Sequence, residues 1–504
     1  MLAQVHSFVL QGIDALACEV EVDVAADQMP KTTTVGLPDA AVKESSERVR
    51  AAITNSGYPY PLARQLISLA PGDIRKEGPV YDLPIAVGML LAGRIITTQL
   101  HKGLMFAGEL ALDGRVRPVS GVINLALLCR DRGFDGVVVP VENAHEAAAV
   151  DGIEVYPADT LATVVSFLNE QHDIQPVATM DVESQLLNDA PAIDFADIRG
   201  QEAVKRAMTV AAAGGHNIAM IGPAGTGKTM SARALPGILP PLTRDEALEV
   251  TRIYSAVGQA PRGQSLITRR PVRTPHHTAS PAAVIGGGTI PRPGEVSLAH
   301  HGVLFLDEMP EFPRPVLETL RQPLEDGDVT IARAHSAIRF PAQFMLVAAM
   351  NPTPKGDKPA DEVGQRAMDR YLAKLSGPVI DRIDIHVEVP PVPYQQLTGK
   401  AKGSGSAEMR EQVLAARRRQ LGRGNGRARR NALLSGRELD QVAVLDDAGK
   451  DLLKQAMSEL GLSARAYDKI RRVARTIADL EASDGVLAQH VAEAISYRLL
   501  DRQM

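Results

Sequence analysis

The chain has 504 residues, enough for roughly two to four domains; 45% of them are hydrophobic, 23% are charged and the net charge is −5, a soluble globular balance that excludes a surface coating polyanions generally. Cys18 and Cys129 are the only cysteines and lack metal-type spacing, which excludes a disulfide framework and a zinc site; the absence of Trp removes the usual base-stacking platform. No apolar run reaches the ~18 residues of a membrane span, and Met1–His6 does not open a leader, so the expectation is a cytoplasmic protein without a membrane partner.

Residues 1–168 read as an α/β domain. Ala17–Val22 alternates as a strand, a helix starts at Asp39 after Pro38 and stops at Gly57, and Val137–Pro140 is a buried strand. Residues 169–193 are polar and weakly periodic, a linker. Residues 194–395 form a second α/β domain. Residues 396–437 read as a basic linker: a Gly/Ser patch at 403–406 is followed by a run in which, from Lys402 to Arg437, ten Lys or Arg face two Glu, a net +8. Residues 438–504 are periodic with few breakers and form a small all-helical lid. No internal repeat is evident.

The chemistry begins at Gly222-Pro223-Ala224-Gly225-Thr226-Gly227-Lys228-Thr229, which meets the pattern G-x-x-x-x-G-K-[ST] between the strand-like 217–221 and the helix-compatible 230–235. Glycines let backbone N–H groups converge on phosphate oxygens, Lys228 reaches the outer phosphates, and Thr229 offers a hydroxyl to Mg²⁺. Val303–Leu306 is a buried strand that releases Asp307 and Glu308 at its C-terminal end, where open α/β sheets place ligands. Asp307 would hold Mg²⁺ and Glu308 would activate the water that attacks ATP. A third apolar strand, 344–350, ends in Asn351, placed to orient that water. Arg382 precedes the strand-like 385–389, and Arg465 opens a C-terminal helix. An arginine brought by a neighbouring subunit stabilises charge on a transferring phosphoryl group.

The segments Arg273–Ser280, Ile285–Gly288, Pro293–Glu308 and Val473–Leu480 resemble the magnesium-chelatase-like AAA+ family, and more closely its ComM (YifB) group, over nearly the whole chain. The resemblance implies an AAA+ P-loop α/β core with a helical lid, homo-hexameric rings, Arg382 acting in trans and Arg465 as a second sensor. For the ComM group it implies a helicase that drives branch migration on single-stranded or branched DNA, with recombination proteins as partners, during natural transformation. Residues 266–297 and 327–333 would then carry loops facing the ring's pore; the same loops would serve equally as contacts between protomers. In one departure, many ComM-like chains place cysteines after the sensor Asn, whereas this one reads Asn351-Pro352-Thr353-Pro354-Lys355-Gly356.

Residues 1–168 resemble the proteolytic domain of Lon through Lys76-Glu77-Gly78-Pro79, Gly108-Glu109-Leu110 and Gly114–Val119. That family places a serine directly after Gly-Pro and a lysine five residues after the last Pro. Here those positions hold Val80 and Ile123, and neither a nucleophile nor a base remains. Tyr81, Asp82 and Asn124 do not restore the pair. The expectation is an inactive protease fold used in assembly or DNA handling. Three functions compete: a DNA motor, favoured by the pore loops and the basic run around Arg417-Arg418-Arg419, which would also suit a solvated loop; a chelatase-type ATPase remodelling a protein partner; and an ATP-dependent protease, opposed by Val80 and Ile123.

Overall fold

A computed structural model describes residues 1–25, 29–178, 193–261, 263–333, 336–352, 377–394, 403–423 and 430–498. The Thr353–Gly356 run lies outside them. The chain divides into two compact units, Met1–Leu187 with Thr243–Thr268, and Asn188–Leu242 with Arg269–Met504.

The first unit is built on β1 (Leu2–Gln11), β2 (Asp14–Ala25), β3 (Lys31–Val35), α1 (Ala40–Asn55), β4 (Arg64–Ala70), α2 (Asp82–Ala92), β5 (Leu104–Phe106), the ribbon β6 (Glu109–Leu110) and β7 (Val116–Arg117), α3 (Val122–Arg132), β8 (Gly136–Pro140), α4 (Val141–Ala147), β9 (Glu154–Ala158) and α5 (Leu161–Leu168). Seven strands form a mixed sheet in the order β3-β4-β2-β1-β5-β8-β9. Cys18, Val20 and Val22 of β2 alternate into the core with Val5 and Val9 of β1. As the sequence predicts, α1 starts at Asp39, whose carboxylate accepts from Val42 N at 2.8 Å, and ends before Gly57 at φ +85°. α2 is buried on every side, and its Asp82 is held by Arg48 at 2.8 and 3.1 Å.

The second unit begins with α6 (Glu202–Gly214), β10 (Ile218–Ile221) and α7 (Lys228–Ala234). The chain then enters α8 (Arg244–Ala256), which belongs to the first unit, and returns at Arg269. A capping box starts α8: Thr243 Oγ1 accepts from Glu246 N, and Glu246 accepts from Thr243 N, both at 3.2 Å.

After the return come β11 (Val272–Arg273), the ribbon β12 (Gly286–Gly287) and β13 (Arg292–Pro293), β14 (Val303–Leu306), the ribbon β15 (Asp328–Arg333) and β16 (Ser336–Pro341), β17 (Met345–Met350) and β18 (Ile385–Glu388). Four of them join β10 in an all-parallel sheet, β11-β14-β17-β10-β18, with the strand before the P-loop flanked on both sides. Val303 and Phe305 of β14 pack into one apolar core, Leu304 and Leu306 into another, so the sheet is covered on both faces. This is a mixed α/β fold with a helical C-terminal region: α9 (Ser406–Arg423), α10 (Gly436–Val442), α11 (Asp447–Glu459), α12 (Ala464–Leu480) and α13 (Ala488–Ser496).

The basic segment within 396–437 differs from the expected linker over residues 406–423. Met409, Val413, Ala416 and Gln420 recur at helical spacing and are buried, so α9 is a docked amphipathic helix rather than a spacer. Its Arg423 grips Asp479 of α12 at 2.6 Å through both nitrogens, and Arg475 reaches the same carboxylate at 3.0 Å. Arg423 is thereby part of a docked helix rather than of a free basic patch.

Candidate active site

The P-loop leaves β10 at its C-terminal end. Gly222 N donates to Met350 O at 3.2 Å, and a Cβ on Gly222 would lie 2.2 Å from Val389 O, so only glycine fits between the neighbouring strands. Gly225 and Gly227 hold φ of +77° and +90°, which turns the loop into the N-terminus of α7. Lys228 is 7% exposed, and its ammonium donates to Gly222 O at 2.6 Å, Pro223 O at 2.7 Å and Asn351 Oδ1 at 3.1 Å. Burial lowers its basicity, opposed by the charges of Asp307 and Glu308.

Thr229 Oγ1 donates to Asp307 Oδ2 at 2.9 Å, while Asp307 Oδ1 accepts from Glu308 N at 3.1 Å. Glu308 stands at φ +53°, in the left-handed region, as the chain turns away from β14. The structure thus gathers Gly222–Thr229, Asp307, Glu308 and Asn351 at the C-terminal edge of one parallel sheet. This donor set fits a magnesium nucleotide: a hydroxyl and a carboxylate in contact for a hard cation, a lysine among them for phosphate oxygens, and glycine backbone opening a helix. His276 and His277 stand beside this set, and no catalytic sequence motif marked them. His277 Nδ1 lies 3.9 Å from Glu308 Oε2, its ring meets Phe312 edge-on at 6.5 Å, and the two histidine rings stand 4.2 Å apart. The Arg273–Ser280 segment is held by a paired contact of Arg273 with Glu295 at 2.6 and 2.8 Å.

Arg382 and Arg465 lie elsewhere. Asn217, the residue before β10, donates to Arg382 O at 2.9 Å, so this arginine sits at the N-terminal ends of the strands. A four-residue strand spans roughly 13 Å, and it stands between Arg382 and the P-loop. Arg382 is 9% exposed and ion-paired with Glu325; Arg465 binds Asp381 at 3.2 Å. Both line a cavity of about 520 Å³ together with Arg430, Lys469 and Arg472. The structure places the two arginines on one cavity, away from the phosphate loop of their own chain.

In the first unit, Val80 is half-buried and its carbonyl accepts from Gly108 N at 3.1 Å; Ile123 is fully buried, and its N donates to Glu146 Oε1 at 3.1 Å. The neighbours are committed as well. Asp82 serves Arg48 and Leu110 N, and Asn124 exchanges hydrogen bonds with Arg252 of α8 at 3.1 and 3.2 Å. Ser255 of α8 donates to the buried Glu146, and its Oγ accepts from Gly121 N at 3.0 Å. Burial pushes the Glu146 carboxyl up, against the pull of Ser255, Asn143 and Ile123 N.

Family models described as magnesium chelatase, subunit ChlI, match residues 194–397, and as its C-terminal part, residues 403–498; a third, subunit ChlI of Mg-chelatase, matches residues 20–143. Competence protein ComM of Haemophilus influenzae is 44% identical over 99% of this chain and 98% of its own length. The YifB protein of Escherichia coli is 43% identical with the same coverage. The magnesium-chelatase 38 kDa subunit of Rhodobacter capsulatus is 26% identical over 61% of this chain and 88% of its own length. With a parallel α/β sheet, a phosphate loop facing an acidic strand end, and matches along its length, the chain belongs to the ComM/YifB family of magnesium-chelatase-like AAA+ ATPases.

Proposed function

We propose that the chain is an ATP-driven DNA motor that promotes branch migration of recombination intermediates during natural transformation. The observation that carries the motor half is the cluster of Lys228, Thr229, Asp307, Glu308 and Asn351. The DNA half is supported by the likeness to a competence protein across the whole length. Magnesium, when bound with ATP, would supply charge neutralisation on the phosphates. Thr229 and Asp307 would hold it, Lys228 would draw the outer phosphates onto the glycine loop, and Glu308 would take the proton of the attacking water. Asn351 orients that water. Arg382, which lies away from its own P-loop, reaches the phosphates of a neighbouring protomer in a homo-hexameric ring, and Arg465 on the same cavity serves as the second sensor. The first unit keeps a protease-like shape without peptide-cleaving chemistry.

A chelatase-type ATPase that remodels a protein partner shares this core, and the Rhodobacter likeness favours it as the second reading. Turnover of ATP measured with and without single-stranded and branched DNA separates them, followed by strand exchange on three- and four-way junctions. Stimulation by DNA and junction movement are expected. Indifference to every DNA form, with no shift in gels, sinks the motor reading.

A further inference from the structure

The first unit carries a second concavity, and neither Val80 nor Ile123 lines it. A cavity of about 650 Å³ opens beside the start of β1 and the end of α2, with His6, Arg94, Thr97, His101 and Lys102 in its wall. Among the described residues, none of those lining it carries a carboxylate. Arg94 and Lys102 are exposed, and neither side chain has an ion pair or hydrogen bond among the described residues. The other cation there, the amine of Met1, is engaged by Asp23 at 3.2 Å. His101 is buried, and burial first and Lys102 second lower its basicity, so it offers a neutral imidazole to the cavity. His6 is steadied by ring contact with Phe134 at 4.8 Å.

The charged side chains in this wall, Arg94 and Lys102, are both cations, while the nearby carboxylates Asp23 and Glu21 are engaged by the Met1 amine at 3.2 Å and by Gln4 at 3.5 Å. We propose that it binds a phosphate group of a nucleic-acid strand, giving the first unit a DNA contact of its own; this rests on the DNA reading above. A planar guanidinium matches two phosphate oxygens, the Lys102 ammonium adds a point charge, and a neutral imidazole beside them donates without further repulsion. The volume lies within the ~300–1,000 Å³ of small-molecule sites, room for a nucleotide unit rather than an ion alone.

The test uses the full chain, a fluorescein-labelled single-stranded oligonucleotide and salt titrations. The double variant Arg94→Glu, Lys102→Glu should bind the strand at least ~10-fold more weakly, and its log–log salt slope should shrink by about 1.4, for two phosphate contacts at ~0.7 each. ATP turnover without DNA should stay at the wild-type rate. Arg94 holds φ +56° just past the end of α2, where glycine is preferred. Arg94→Gly should therefore raise the melting temperature while still weakening binding, which separates lost contact from lost folding. Wild-type binding retained by the double variant, with an unchanged slope, overturns this site and leaves the DNA reading standing. A wild-type chain that binds no strand removes both. Displacement of the strand by polyglutamate as readily as by unlabelled strand would assign the cavity to acidic proteins and overturn the proposal.

Discussion

The hydroxyl of Thr229 and the carboxylate of Asp307 meet at 2.9 Å although one opens a helix and the other ends a strand. In the proposed mechanism this contact is the Mg²⁺ corner of the site, and Glu308 follows it by one residue. Thr229→Ala should lower turnover and raise the Mg²⁺ concentration needed for half-maximal rate, because one oxygen ligand is gone. Glu308→Gln keeps the shape but removes the base, so ATP binding should persist while turnover falls by ~10²–10⁴-fold. Binding by filter assay and phosphate release measure the two. Near-normal turnover in Glu308→Gln means the catalytic assignment is wrong.

Arg382 and Arg465 share a cavity with each other and not with Lys228, so complementation between protomers should be visible. Arg382→Ala should bind ATP normally but hydrolyse it ~10³-fold more slowly, the lower end of what such an arginine contributes. Mixing Arg382→Ala with Lys228→Ala chains pairs an intact loop with an intact arginine at some interfaces. Turnover should then exceed the sum of the two inactive preparations. A strictly additive rate would place the arginine's action within its own chain.

Much of this site was legible because its residues are contiguous or close a recognisable strand. The P-loop declares itself in eight residues, and four apolar residues before Asp307 announce a buried strand with its ligand end. Two features were not legible, for physical reasons. In α9, clustered arginines mask the sparse stripe Met409, Val413 and Ala416, and composition alone favours a linker. In α8, the capping box at Thr243 and Glu246 marks a helix start, but an amphipathic face does not name the surface that it will meet. Only the fold shows that this helix, lying in sequence between the P-loop and the acidic strand, joins the first unit.

Asp384 is buried between Lys469 of α12, at 3.4 Å, and His216, also at 3.4 Å. Burial alone would raise its carboxyl; Lys469, then His216 and Arg472, outweigh that and hold it below the usual range. Burial lowers Lys469 to about 8 despite Asp384. The depressed carboxyl contributes stability that is present above its unfolded value and lost as pH falls through the folded one. For the lysine, the unfolded chain binds more protons between about 8 and its ordinary 10.5, so stability rises with pH across that window. Asp384→Asn strands a buried ammonium and should cost about 3–5 kcal/mol. Its alkaline rise should begin at lower pH than in the wild type. Urea midpoints followed by far-ultraviolet circular dichroism from pH 6 to 10 test both; an unchanged pH profile removes the pair from the stability account.

Ser255 and Glu146 make the corresponding test for α8. Glu146 is a buried carboxylate with no cation paired to it among the described residues, held by the donors Ser255 Oγ, Asn143 Nδ2 at 3.2 Å and Ile123 N at 3.1 Å. Because its folded value is raised, the stability it gives is complete at low pH and declines as pH rises through that value. Ser255→Ala removes one donor, raises the carboxyl further and leaves Gly121 N without the side-chain half of its contact. The loss should be about 1–3 kcal/mol near neutrality and shrink as pH falls and the raised carboxyl takes up its proton. Hydrogen exchange of the α8 amides reads this locally: protection across Arg244–Ala256 should fall in Ser255→Ala while α7 keeps its own. Equal protection in variant and wild type would mean that α8 is held by Arg244 and Arg252 without Ser255. Those two arginines contact Asp151 and Ala149 O, and Asp14 and Asn124, so Arg252→Ala in the same assay then decides which contacts retain the helix.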